Sequence, residues 1–164
     1  MRHAKAEQLG PSDFERHLSD RGVVEAGMAG AWLVEQGFVP DHVLVSAALR
    51  TRETWAAVAE GAGWDPDDVE TDEDETLYEA GPETALDLVR EVPEDATALL
   101  VIGHNPTMGL LAQLLDDGDG DEGASNALVS GYPTAAMTLF DLTGDWADLD
   151  EQGATVRAHH VPRT

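Results

Sequence analysis

The stretch Thr97-Ala98-Leu99-Leu100-Val101-Ile102-Gly103-His104-Asn105-Pro106 decides the fold. Its first six residues are almost wholly apolar and do not alternate with polar ones, which predicts a strand buried on both faces of a parallel sheet. Asn105-Pro106 then opens a new element, because proline is favoured in the first turn of a helix. Thr107 to Leu115, short and mostly apolar, is the predicted helix. A strand that runs through a loop into a helix is the repeating unit of α/β sheets. Ligands of such sheets gather outside the carboxyl ends of the strands. His104 therefore lies where a site is expected.

The rest of the chain alternates in the same way. Ser19 to Gln36 is predicted helical, with Ser19 as the cap, Val23, Val24, Met28, Ala31 and Val34 as the apolar face, and Gly37 and Pro40 as the stop. Asp41 to Ser46 is a short apolar strand. Thr51 to Ala62 is a second helix, stopped near Gly63, and Glu83 to Val92 a third, with Pro82 at its start. Asp116 to Ser125 is a polar loop. It resembles a calcium loop superficially, but its glycine is misplaced and the twelfth position from Asp117 is Leu128 instead of a bidentate Glu. Ala135 to Leu142 and Ala154 to Val161 read as two more strands, separated by an acidic turn region. No repeat is visible. The pattern predicts one α/β domain over residues 1–164: a three-layer sandwich whose mostly parallel sheet carries helices on both faces.

Composition narrows the function classes. The 164 residues hold 33 acidic and nine basic side chains, a net charge of −24, and no cysteine. No thiolate nucleophile, disulfide framework or cysteine-based zinc site is available. The charge repels nucleic acid and anionic membranes. No apolar run approaches the roughly 20 residues of a membrane span, and Met1 leads straight into charged residues instead of a signal peptide. The expected compartment is the cytoplasm. The acidic surface serves either solubility or a salt-rich cytosol, where screening tames self-repulsion.

Against that acidic background, Arg2 and His3 at one end of the chain, Arg50 after the Asp41–Ser46 strand, and His104 after the apolar strand stand out as candidate site residues. Two imidazoles and two guanidiniums can hold a phosphoryl group and attack it. Each has a plainer reading when taken alone: a frayed terminus for Arg2 and His3, exposed helix residues for Arg50 and Arg52, a satisfied loop histidine for His104. His17, His42, His159 and His160 have no matching partners. The last two alternate across a strand and cannot share a metal.

Taken together, Arg2-His3-Ala4, Leu18-Ser19-Asp20-Arg21-Gly22, Ser46-Ala47-Ala48-Leu49-Arg50-Thr51-Arg52-Glu53-Thr54 and Gly103-His104-Asn105-Pro106 resemble the histidine phosphatase superfamily, with its phosphoglycerate mutase-like fold. The order and spacing fit over residues 1–141. The Arg-His-Ala variant and Gly-His-Asn-Pro look most like the SixA-type protein phosphohistidine phosphatases. The resemblance implies His3 as nucleophile, giving a phosphohistidine intermediate that water hydrolyses. It implies Arg2 and Arg50 as the pocket arginines, and His104, when protonated, as a stabiliser of the phosphoryl oxygens. Arg50, not Arg52, falls on the motif. No cofactor and no metal is implied.

Two departures qualify the match. A hydroxyl residue that touches phosphate in many members is replaced here by Ala6, and Ala4 follows the motif histidine where glycine is common. No general acid matches convincingly among Asp74, Glu75 and Glu79. A phosphorylated imidazole needs less protonation on leaving than an alkoxide, which favours a phosphohistidine protein as substrate. A small-molecule phosphomonoesterase of the same superfamily and an inactive phosphate-binding module remain the alternatives. His3 also belongs at a strand end, although almost no chain precedes it. A strand of about five apolar residues contributes roughly 7–15 kcal/mol, so the expectation is that the first strand is truncated and the natural reading frame begins upstream of Met1.

Overall fold

In the computed structural model, which describes residues 1–164, three parallel strands form the centre of the sheet: β1 (His42–Ser46), β2 (Glu70–Asp74) and β3 (Leu99–Ile102), in the order β2-β1-β3. The strand buried throughout is β1, all five residues of it. Its neighbour β3, expected to be buried on both faces, buries Leu100 and Ile102 and leaves Leu99 and Val101 half-buried.

Alternation along β1 divides two cores. Val43 and Val45 face one way, into a core shared with α1 (Asp20–Glu35) and α2 (Leu49–Ala62). Leu44 faces the other way, into a core built from α4 (Pro82–Arg90), α5 (Thr107–Leu115) and α6 (Glu122–Ser130). A short helix, α3 (Glu75–Glu79), follows β2 directly. The expected layering, helices on both faces of the sheet, is what the chain adopts.

The first three residues join the layer. Arg2 forms a parallel bridge to Gly103, His3 N donates to Gly103 O at 2.9 Å, and Gly103 N donates to Met1 O at 3.1 Å. On the other side Arg2 N donates to Ala136 O and Ala135 N to His3 O. These bonds link β3 to β4 (Met137–Asp141), which pairs antiparallel with β5 (Thr155–His160). Beyond the linked residues, an apolar cavity of about 130 Å³ opens between β3 and β4, lined by Met1, Leu99, Val101, Leu139 and Phe140 among others.

Helix α1 is rotated from its expected orientation. Ser19 caps it as predicted, accepting from Gly22 N. Its buried face, however, is Gly22, Glu25, Ala26, Ala29, Gly30 and Leu33, while Val23, Val24, Met28, Ala31 and Val34 are exposed. The reason is close helix packing. A Cβ on Gly30 would lie 2.0 Å from Val58 O of α2, and one on Gly61 would lie 2.1 Å from Gly27 O. Only small side chains fit where the two backbones approach so nearly, so the branched residues turn outward.

Two elements escape the apolar pattern. β2 reads Glu-Thr-Asp-Glu-Asp and is held by its backbone ladder to β1, with none of its residues buried. α6 starts inside the acidic loop, where Asp121 caps it by accepting from Ala124 N. Within that loop Asp116 and Asp117 accept from the backbone N–H groups of Gly118 and Asp119. No helix is long and apolar enough to cross a membrane.

Candidate active site

The strand ends deliver the site. β1 ends at Ser46, β3 runs into Gly103-His104, and the N-terminal bridge places His3 beside Gly103. Arg50 stands in the first turn of α2. Thr54 Oγ1, one turn on, accepts from Ala4 N at 3.0 Å and donates to Arg50 O at 2.7 Å, which ties the N-terminal segment to α2. Arg2, His3, Arg50 and His104, a hundred residues apart in the chain, are thereby brought together. The His3 and His104 ring centroids are 5.3 Å apart and their planes are inclined by 54°.

The tautomers follow from the partners. His3 Nδ1 lies 2.7 Å from Ala4 O. A carbonyl only accepts, so Nδ1 carries the proton and Nε2 keeps its lone pair. Burial holds the His3 pKa at about 4, with Arg50, Arg2 and Arg16 acting in the same direction. His104 Nδ1 lies 3.2 Å from Arg50 Nη2, and a guanidinium only donates, so this nitrogen is bare. Nε2 then donates to Ser46 Oγ at 2.7 Å. Burial, followed by Arg50 and His3, lowers the His104 pKa to about 3. Where the sequence pointed to a protonated His104, the surrounding protein favours a neutral one, because burial and the guanidiniums of Arg50 and Arg2 outweigh the carboxylate of Asp13.

The guanidiniums are held but not saturated. Arg2 Nη1 donates to Tyr132 O at 3.1 Å, the same carbonyl that accepts from Asn105 Nδ2 at 2.6 Å. Arg50 is 5% exposed; Nη1 donates to Asp13 O at 2.7 Å and Nη2 to Asp13 Oδ2 at 3.2 Å. The Nε–H of Arg2 and the Nε–H of Arg50 are buried with no partner. Arg52 turns away: its Nε donates to Ala47 O at 3.1 Å and lies 3.9 Å from Glu73, at 40% side-chain exposure.

Sequence reasoning missed Asp13, Arg16 and Tyr78. Asp13 Oδ2 accepts from Tyr78 Oη at 2.5 Å, and Oδ1 from Arg16 Nε at 3.1 Å. These partners hold the Asp13 pKa at about 2, the Tyr78 hydrogen bond foremost. The segment carries no periodicity and no motif. The one available signal was that a buried arginine requires a counter-charge. The three acids considered as proton donors lie elsewhere in role: Asp74 caps α3 through Leu77 N, and Glu75 and Glu79 are exposed. The remaining histidines have structural partners. His17 pairs with Glu53, His42 with Asp72 and His159 with Thr138, while His160 stacks on Trp32.

A parallel α/β sheet thus brings two histidines and two arginines together at and just beyond its strand ends. No protein-family model matches the chain. An uncharacterized protein of Mycobacterium tuberculosis is 37% identical over 99% of this chain and 100% of its own length. A solved structure from Nakamurella multipartitia, classed as a phosphohistidine phosphatase SixA, is 33% identical, covers 99% of this chain and 93% of its own, and superposes with a TM-score of 0.85. One from Agrobacterium tumefaciens, classed likewise, is 29% identical over 87% of this chain and 88% of its own, with a TM-score of 0.73. The chain belongs to the SixA family of phosphatases within the histidine phosphatase superfamily.

Proposed function

We propose that this protein is a phosphohistidine phosphatase that removes a phosphoryl group from a histidine of a partner protein through a covalent intermediate on His3. The observation that carries the proposal is the pair of buried, unpartnered Nε–H donors, one on each arginine, beside an imidazole with a free lone pair. A buried donor without a partner costs about 1–3 kcal/mol. Two such donors on cationic groups match the oxygens of a tetrahedral dianion, which guanidinium forks bind with defined geometry.

His3 Nε2 attacks phosphorus in line, a new P–N bond forms, and the P–N bond to the substrate imidazole breaks. The leaving ring takes its proton on the far nitrogen from solvent. Water then attacks phosphorus on His3: a P–O bond forms, the P–N bond breaks with its electron pair returning to Nε2, and the proton of water passes to solvent, leaving inorganic phosphate and free His3. Arg2 and Arg50 meet the charge on the equatorial oxygens. His104 serves them as a donor once a dianion beside it offsets the repulsion from Arg50. Charge stabilisation is assigned here to protein side chains, so turnover is expected to be insensitive to EDTA. The expected setting is the cytoplasm.

The reading favours phosphohistidine over a small phosphate ester for a specific reason. Asp13 is the carboxylate bonded to Arg50, and at a pKa of about 2 it holds no proton to give an alkoxide. The test is incubation with a phosphotransfer protein labelled on histidine, alongside para-nitrophenyl phosphate and sugar phosphates. Phosphate should leave the protein substrate fastest, and acid-labile label should be trapped on His3. His3→Ala should abolish both without unfolding the domain; turnover at the unsubstituted rate in that variant overturns the assignment.

A further inference from the structure

Resting on that reading, we propose that Asp13 is an internal anion of the phosphoryl pocket: its carboxylate holds the Arg50 fork between turnovers, hands it to the incoming phosphoryl oxygens, and reclaims it as phosphate leaves. Asp13 is thus a positioning residue, and it acts through Arg50.

Each of the three nitrogens of Arg50 has a distinct place in the geometry. Nη1 is fixed to the Asp13 backbone carbonyl at 2.7 Å. Nη2 is shared between Asp13 Oδ2 and His104 Nδ1, each at 3.2 Å. Nε has no partner. An oxyanion that takes Nε and Nη2 as a two-pronged contact must displace the carboxylate, the imidazole nitrogen or both from Nη2. The Nη1 bond to the backbone remains, so Arg50 stays in place while its partner changes.

Asp13 is built to let go. Its side chain is 56% exposed, so its charge is readily solvated. Oδ2 keeps the Tyr78 hydroxyl at 2.5 Å, and Oδ1 keeps Arg16, when Arg50 leaves. Tyr78 is itself seated, with its ring edge-on to His104 at 5.4 Å and to Phe14 at 5.0 Å. The charged and titratable groups facing Arg50 and His104 are Arg2 and His3 from the N-terminal segment, Asp13 and Arg16 from the loop before α1, and Tyr78 from α3. Asp13 is the one anion among them. It therefore competes with bound phosphate and speeds its release.

Two variants test this with opposite signs. Asp13→Asn keeps the shape and removes the charge. Inorganic phosphate should then inhibit about tenfold more tightly, the weight of one charge contact. KM for para-nitrophenyl phosphate and kcat should fall together as product release slows. Tyr78→Phe frees Oδ2 to serve Arg50 alone, so the phosphate inhibition constant should rise. A purely structural role for Asp13 predicts weaker phosphate binding in both variants, and that result, or an unchanged constant in Asp13→Asn, overturns the proposal. If Asp13→Asn does not fold by circular dichroism, an unchanged or lowered constant in Tyr78→Phe overturns it. Unsubstituted protein that neither turns over nor binds phosphate fails the phosphatase reading, and this proposal with it. Normal turnover with the wrong sign in the variants fails the Asp13 role alone.

Discussion

An imidazole attacks phosphorus only when it is neutral, and His3 stays neutral well below the usual histidine range because burial and three arginines disfavour its protonated form. The same shift governs stability. Between pH 6.5 and about 4 the unfolded chain binds a proton at residue 3 that the folded chain refuses, so stability falls as pH falls across that window and is complete above it. The effect is on the order of 3 kcal/mol, and His104, lowered to about 3, adds to it in the same direction. Urea unfolding at pH 7 and pH 5 should show the loss in the unsubstituted protein and a smaller one in His3→Gln. Equal loss in both would mean that other groups carry it. kcat/KM should likewise hold down toward pH 4 instead of failing near 6.5. At this scale Arg50 and His104 were legible because each follows a strand, whereas Arg2 and His3 were legible only through the motif they share with the family. Asp13 and Tyr78 were not, because the bond between them joins two segments that no sequence period relates.

Helix α1 shows why elements are harder to read than their existence. Its span and its Ser19 cap follow from local signals, but its buried face follows from how near α2 comes. Branched residues at helical spacing look like a core stripe, and here the close approach reserves the interface for glycine and alanine. Two glycines of α1 should answer oppositely to the same substitution. Gly30→Ala would put a Cβ 2.0 Å from Val58 O and 2.9 Å from Ala62 N, both backbone, so the helices must part. That overpacking costs about 1–3 kcal/mol and exceeds the gain of up to about 1 kcal/mol in helix propensity. Gly27→Ala meets Ala57 O at an ordinary 3.8 Å and should keep the propensity gain. Thermal midpoints should fall for the first and hold or rise for the second; a fall in both would mean the two helices tolerate no added carbon anywhere along their contact. β2 and α6 were invisible for a related reason. One is held by backbone pairing and the other by an aspartate cap, and neither requires the apolar pattern by which strands and helices are recognised.

At the scale of the whole molecule, 33 acidic groups share the chain with a pocket that gathers Arg2, Arg16 and Arg50, three of its nine basic side chains. The fields of pocket and surface oppose each other, and distance decides which a ligand feels. Within a few ångströms buried Arg50 and half-buried Arg2 dominate, because their low-dielectric surroundings are weakly screened. Farther out a net charge of −24 repels every phosphorylated substrate. Salt acts mainly on that outer field, since the Debye length falls from about 30 Å at 0.01 M to about 8 Å at 0.15 M. Adding KCl over that range should therefore raise kcat/KM for an anionic substrate, the reverse of what a cationic pocket on a neutral protein would show. It should also raise stability, because the acidic surface repels itself less. Stopped-flow binding of vanadate and urea unfolding, each across a KCl series, read the two effects separately. If the association rate falls with salt while stability rises, the arginines project their field beyond the pocket, and the surface charge serves the fold alone.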